Sequence, residues 1–225
     1  VVAEVVRAPM ALAVGWRRVW LVLEFAVLFV GAPVLYWLVK VPGGPIPLLI
    51  LLAVAAVFYL RAQPGFDRRN FGGLSKVRGE LRNMLLIAAL GAAVAVAVLA
   101  FFLPDLLFNL PRRSQVMWIA IMVLYPLFSV YPQELVFRGF LFQRYAPLFG
   151  NRGIVAASAV AFGFVHIIFG NLLAVVMTLF GGYLFASRYQ RTGALLVPAV
   201  EHAIYGCLIF TVGLGQFFYH GAALR

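Results

Sequence analysis

The chain is a succession of long apolar runs separated by short stretches that hold most of its arginines and many of its prolines and glycines. A helix needs about 20 apolar residues to cross a hydrocarbon layer ~30 Å thick. Cutting the chain at its charges and its Pro/Gly clusters predicts seven such helices, at Val19–Val39, Pro45–Leu60, Asn83–Leu103, Val116–Pro132 with a polar continuation, Ile154–Phe169, Leu172–Ala186 and Ala194–Val212. The second and sixth are short, as expected of a less tilted or partly re-entrant path. The expected fold is all-α, a polytopic integral membrane helix bundle. It divides into transmembrane helices 1–3 with a basic loop (1–115), a core of four transmembrane helices (116–213) and a C-terminal tail (214–225).

Composition removes the main alternatives. The chain is 64% hydrophobic and 11% charged, where a soluble domain is about half apolar and about a quarter charged. With a mean hydropathy of +1.01, a soluble enzyme and a disordered chain are both excluded. A net charge of +11 would suggest nucleic acid in a soluble protein. Here the basic residues lie between apolar runs and read as topology signals, so membrane lipids, not nucleic acid, are the expected partners. Alternating the loops puts Arg7, Arg17, Arg18, Arg61, Arg68, Arg69, Lys76, Arg78, Arg82, Arg144, Arg152, Arg188 and Arg191 on one side, against Lys40, Arg112, Arg113 and Arg225 on the other. That asymmetry predicts a cytoplasmic N-terminus and Arg61–Arg82 loop, with the tail across the membrane. The first residues do not resemble a cleavable signal, so the first span is expected to be retained. The basic loop reads as a stop-transfer segment made flexible by Gly72 and Gly73, able to touch anionic head groups. The lone Cys207 excludes an intrachain disulfide and a cysteine metal site.

Ionisable side chains inside a span cost about 2.5 kcal/mol or more each, so they are paired and mark function by default. Glu134 with Arg138, His166, Glu201 with His202, and Glu24 qualify. Glu134 and Arg138 are spaced for an ion pair on one helix face, and Gln133 points about 100° away from Glu134. His166 stands on an apolar helix whose small residues Ala157, Ser158, Ala161 and Gly163 permit close helix approach. Glu201 and His202 follow Pro198, which removes a backbone donor from the last span. Glu24, one to two turns from Arg17 and Arg18, reads as a snorkelling or ion-paired residue near the interface. At ~1.5 Å per residue, Gln133 lies about 16 Å in from Arg144, His166 about 21 Å in from Arg152, and His202 about 16 Å in from Arg191. An amide, a carboxylate, two imidazoles and an arginine in one layer are what a hydrolytic site needs: a base, an oxyanion donor and a cation to hold the acid. Glu134, His166 and His202 also form a two-histidine, one-carboxylate set able to hold a divalent metal such as zinc, although such groups pair without metal too.

Gln133-Glu134-Leu135-Val136-Phe137-Arg138, then Phe162-Gly163-Phe164-Val165-His166, then His202 resemble the three-motif signature of the CAAX-protease and bacteriocin-processing family, also called the abortive-infection family, which includes the type II CAAX prenyl endopeptidases. Its motifs are Glu-Glu-x-x-x-Arg, Phe-x-x-x-His and a final His followed four residues later by Asn. The resemblance covers about Val116–Val212 and implies an intramembrane endopeptidase of a bacterial inner membrane, cleaving a peptide or protein substrate near the cytoplasmic side. It implies that Gln133 and His166 stand at the water-activating positions, that Glu134 and Arg138 support the site, and that His202 stabilises the oxyanion. The motifs leave open whether a metal takes part.

Two positions depart from that pattern. Gln133 replaces the water-activating carboxylate, and an amide is no general base at neutral pH; Gly206 stands where the family has Asn. Either the site is catalytically silent and binds a peptide, lipid or partner protein, or the missing roles have moved to Glu134, Glu201 and Tyr205. In the second case Glu201, with His166, is expected to activate the water. The bland alternative for Glu201 is a hydrogen bond to Tyr205 one turn on. A small transporter with His166, His202 and Glu134 as a proton relay is a third class, disfavoured by the lack of an internal repeat.

Overall fold

The computed structural model describes residues 15–39 and 41–218. Seven long helices run back and forth: α1 (Gly15–Val39), α2 (Ile46–Ala62), α3 (Leu74–Phe102), α4 (115–149), α5 (151–165), α6 (Leu172–Thr192) and α7 (Leu196–Val212). No strand occurs among the described residues. Gly150, at φ 65° and ψ 178°, separates α4 from α5. Ser114 caps α4 by accepting from the amide of Met117 (3.2 Å), and Asn171 caps α6 by accepting from that of Ala174 (2.9 Å), the usual way to satisfy an orphan amide at a helix start. α2 and α7, 17 residues each, span about 25 Å. Leucines, valines and phenylalanines such as Leu51, Leu90, Phe101, Val116 and Phe180 stand exposed around the bundle, a coat that only a hydrocarbon solvent tolerates.

Contacts between loops sort the helix ends into two sets. At one end, the amide of Leu195 donates to the carbonyl of Asn70 (2.7 Å), Lys76 Nζ donates to that of Thr192 (2.7 Å), and Gln190 donates to that of Asn151. At the other, the amide of Phe108 donates to Val212 (2.9 Å) and the side chain of Asn171 to Phe217 (2.8 Å). The loops at 61–82, 144–152 and 188–193 therefore share one end, as the alternation of spans requires. Arg7, Lys40 and Arg225 lie outside the described residues, as does most of the tail.

Three expectations need correction. The Gly72-Gly73 loop is docked: Gly73 adopts φ 115°, and a Cβ there would lie 2.6 Å from Ala194 Cβ, so glycine serves close approach in place of flexibility. α3 begins at Leu74, ahead of the expected Asn83, which puts Glu80 on a helix. α6 continues past Ala186 to Thr192 and ends at Gly193 in the left-handed conformation, a common helix stop. Arg188 is thus a buried helical residue and no loop charge: a charge ends an apolar run without ending a helix.

The core lies where α1, α4, α5 and α6 meet. Phe25 and Phe29 of α1 pack on Tyr145, and Phe29 also on Phe137 (centroids 5.6 Å), which meets Phe162 edge-on at 5.3 Å. Val77 and Met84 of α3 pack with Ala194 and Val197 beside and on α7, so α3 is held against α7 by a second, smaller apolar cluster.

Candidate active site

α4 is an irregular helix. Pro126 and Pro132 lack the N–H that an α-helix uses, and the backbone widens into π turns at Pro126–Val130 and Leu135–Phe140. Such turns re-aim side chains and are frequent at functional sites. The second presents the carbonyl of Phe137 to Ser158 Oγ on α5 (2.8 Å). Gly163 faces the backbone of Leu179 on α6, where an added Cβ would come within 3.0 Å. The close helix approach expected from Ser158 and Gly163 is present.

Glu134 and Arg138 are completely buried and touch at 3.1 Å (Oε2 to Nε). The contact lies off the N–H direction, so Glu134 Oε2 and Arg138 Nε and Nη1 have no hydrogen-bond partner; charge, not a directed bond, holds them. Arg138 Nη2 donates to the carbonyl of Gly182 (3.2 Å), and the guanidinium lies over the ring of Phe162, 4.4 Å from its centroid. Glu134 Oε1 lies 2.8 Å from His202 Nδ1. A carboxylate paired with an arginine only accepts, so Nδ1 carries the proton and Nε2 the lone pair. Tyr125 on α4 then donates its hydroxyl to Nε2 of His202 (3.1 Å). The sequence thus assembles a buried chain from Arg138 through Glu134 and His202 to Tyr125, with Phe185 stacked on the His202 ring at 4.7 Å.

His166 is buried at the end of α5. Its Nδ1 lies 2.6 Å from the carbonyl oxygen of Phe162, which can only accept, so Nδ1 is protonated and Nε2 keeps a lone pair. His166 and His202 border one ring, at 4.9 and 5.3 Å from the Phe162 centroid. The phenylalanine of the second motif is therefore a shared contact, touched by both imidazoles and by the arginine. Gln133 turns back along its own helix and donates to the carbonyl (3.0 Å) and hydroxyl (2.8 Å) of Ser129.

Glu201 is also completely buried, and both its oxygens are engaged. Arg188 donates from Nε to Oε2 (2.6 Å) and from Nη2 to Oε1 (2.5 Å), and Tyr205 adds a hydroxyl bond to Oε1 (2.8 Å). Arg188 also pairs with Glu80, which lies 3.7 Å from Arg191. Glu201, expected either to activate water or to bond Tyr205, makes the Tyr205 bond and is one arm of an ion-pair cluster joining α3, α6 and α7, because the extended α6 delivers Arg188 to it. Glu24 is paired too, though with Arg144 (2.8 and 2.6 Å), Tyr145 (2.8 Å) and Trp20 (3.0 Å), while Arg17 and Arg18 are exposed.

Glu134, His166 and His202 do not close into a ligand set. Among the described residues, no three of His, Cys, Asp and Glu are grouped to hold a metal ion. His202 spends one ring nitrogen on Glu134 and the other on Tyr125, and Glu134 is itself paired with Arg138. The donors present do not fit zinc.

Sequence reasoning missed Tyr125, Arg188 and Glu80. Tyr125 reads as one more aromatic in an apolar run, and only its place before Pro126 hinted at irregular backbone. A hydrophobicity profile that stops a span at its first charge puts Arg188 and Glu80 in loops.

The chain matches none of the curated proteins and none of the solved structures compared with it. Residues 114–208, which hold Tyr125, the two motifs around Phe162 and the whole Arg138–Glu134–His202 chain, match the family described as type II CAAX prenyl endopeptidase Rce1-like, the family that the three motifs resemble.

Proposed function

We propose that this protein is an intramembrane endopeptidase that hydrolyses a peptide bond with water activated by an imidazole. The observation that supports it best is the pair of buried imidazoles on the Phe162 ring, each with its tautomer set by a hydrogen-bond acceptor. Nε2 of His166 takes a proton from water as the water oxygen attacks the scissile carbonyl carbon. The carbonyl becomes an oxyanion on the His202 side. When the C–N bond breaks, His166 returns that proton to the leaving nitrogen, giving an amine and a carboxylic acid that still holds the second proton of the water. Transfer of that proton to the amine leaves carboxylate and ammonium products with the imidazole neutral again. Gln133 takes no proton; its amide carbonyl is an acceptor suited to orienting the water. Glu134, held by Arg138, fixes the ring of His202 as a buried carboxylate fixes the imidazole of a hydrolase triad.

A second reading, a silent relative that binds a peptide, lipid or partner protein, draws support from the bonds of Gln133 to Ser129. One experiment separates the two. The N-termini of all proteins are compared in membranes of cells producing the wild type, His166→Ala or His202→Ala. Endopeptidase activity gives new termini that vanish in both variants. An identical set of termini in all three leaves the silent reading.

A further inference from the structure

Position 206 lies one helical turn beyond His202, on the same face of α7, and is a buried glycine. A Cβ built there would overlap the ring and hydroxyl of Tyr125 and lie 2.6 Å from its Cζ, well inside the ~3.5–4.0 Å of a normal carbon–carbon contact. Any side chain at 206 and the ring of Tyr125 therefore compete for one volume. Tyr125 arrives from the opposite helix, its ring edge-on to His202 (6.1 Å) and to Phe210 (5.4 Å), so it runs along the 202–206–210 face of α7. Pro126 and the π turn behind it set this approach. The hydroxyl comes to rest on Nε2 of His202, on the side of the site where the hydrolysis proposed above puts the oxyanion.

We propose that Tyr125 is the neutral hydrogen-bond donor that this site offers to the oxyanion of a bound peptide, in the space that a polar side chain at position 206 would otherwise fill. This rests on the hydrolytic reading of the same site. In the resting protein the O–H is parked on Nε2 of His202. When a scissile carbonyl enters, the O–H swings to the oxygen on which negative charge collects, and the phenol donates a hydrogen bond without transferring its proton. The absent amide at 206 and the present phenol at 125 are thus one exchange: glycine is required because tyrosine is there.

The test follows the rate at which His202-dependent termini appear in membranes after induction of the protein. Tyr125→Phe keeps the ring and its packing and removes only the donor; it should slow those termini about 100-fold or more, the usual effect of deleting one oxyanion donor. Gly206→Asn alone should lower thermal stability in detergent, because the added side chain meets the tyrosine. Tyr125→Ala with Gly206→Asn should recover both the stability and a large share of the cleavage that Tyr125→Ala loses. Wild-type rates in Tyr125→Phe, with His202 dependence intact, overturn the role of Tyr125 and leave the endopeptidase reading standing. Failure of the double variant to recover cleavage while it recovers stability overturns the donor role as well and reduces the exchange to packing. If no terminus depends on His202 or His166, the endopeptidase reading and this proposal fall together.

Discussion

Glu134→Ala should damage the fold more than it relieves it, and the structure says by how much. Both Glu134 and Arg138 are completely shielded from solvent. With the carboxylate gone, the guanidinium keeps one hydrogen bond, to the carbonyl of Gly182, and its place over Phe162; Nε and Nη1 already lack hydrogen-bond partners. Among the described residues, Glu134 is the one carboxylate within ion-pair distance of Arg138. Breaking a buried pair by removing one partner costs about 3–5 kcal/mol, and His202 Nδ1 also loses its acceptor, worth roughly 1–3 kcal/mol if it stays unsatisfied. These overlap because the cavity relaxes, so a loss of about 4 kcal/mol is expected. Replacing both charges, as in Glu134→Ala with Arg138→Met, removes the unpaired cation and should recover about half of that loss or more. The measurement is unfolding in mixed micelles titrated with a denaturing detergent, for wild type, both single variants and the double. The reasoning fails if Glu134→Ala lies within about 1 kcal/mol of wild type, or if the two single losses simply add, since contacting residues in one network should couple by roughly 0.5–3 kcal/mol.

Other outcomes follow from the same geometry. Glu201→Gln should lower stability through loss of the bidentate bond to Arg188, and adding Gln133→Glu should not restore cleavage; recovery by that second change would return Glu201 to the role of base. Protein purified without chelator should carry well below one equivalent of zinc, and chelators should leave cleavage unchanged, because the ring nitrogens of His202 are committed to Glu134 and Tyr125; a stoichiometric metal in elemental analysis contradicts this. A reporter inserted near Gly72 should lie in the cytoplasm and one fused after Arg225 outside it, and finding both on one side would end the seven-span arrangement.

Much of the site was legible because burial of charge is a local fact. Glu134, Arg138, His166, Glu201 and His202 each announce themselves inside apolar runs, whatever their partners. The Glu134–Arg138 pair and the Glu201–Tyr205 bond were readable as well, since both lie four residues apart on one helix. Partners on other helices were not. Glu24 has arginines one to two turns away, yet takes Arg144 from a helix 120 residues on. Glu201 reads as a candidate base in the sequence because Arg188, its partner, falls beyond the apolar run in which α6 is legible.

By itself the sequence determined the membrane as solvent, the seven apolar helices, and the set of polar side chains that must find company inside them. These follow from summed transfer free energies and from spacing within one helix, which depend on nearby residues alone. The tertiary structure decided who meets whom: Arg144 with Glu24, Arg188 with Glu80 and Glu201, Glu134 with His202, and Tyr125 in the space beside Gly206. Those pairings depend on the rotation of each helix about its axis and on where it stops. Such variables are set by two π turns in α4, by close approach at Gly73 and Gly163, and by the left-handed Gly193, which stops α6 only after Arg188 and Arg191 have joined the helix. A profile of hydrophobicity is blind to them, because rotating a helix by half a turn changes every neighbour without changing one residue of its composition.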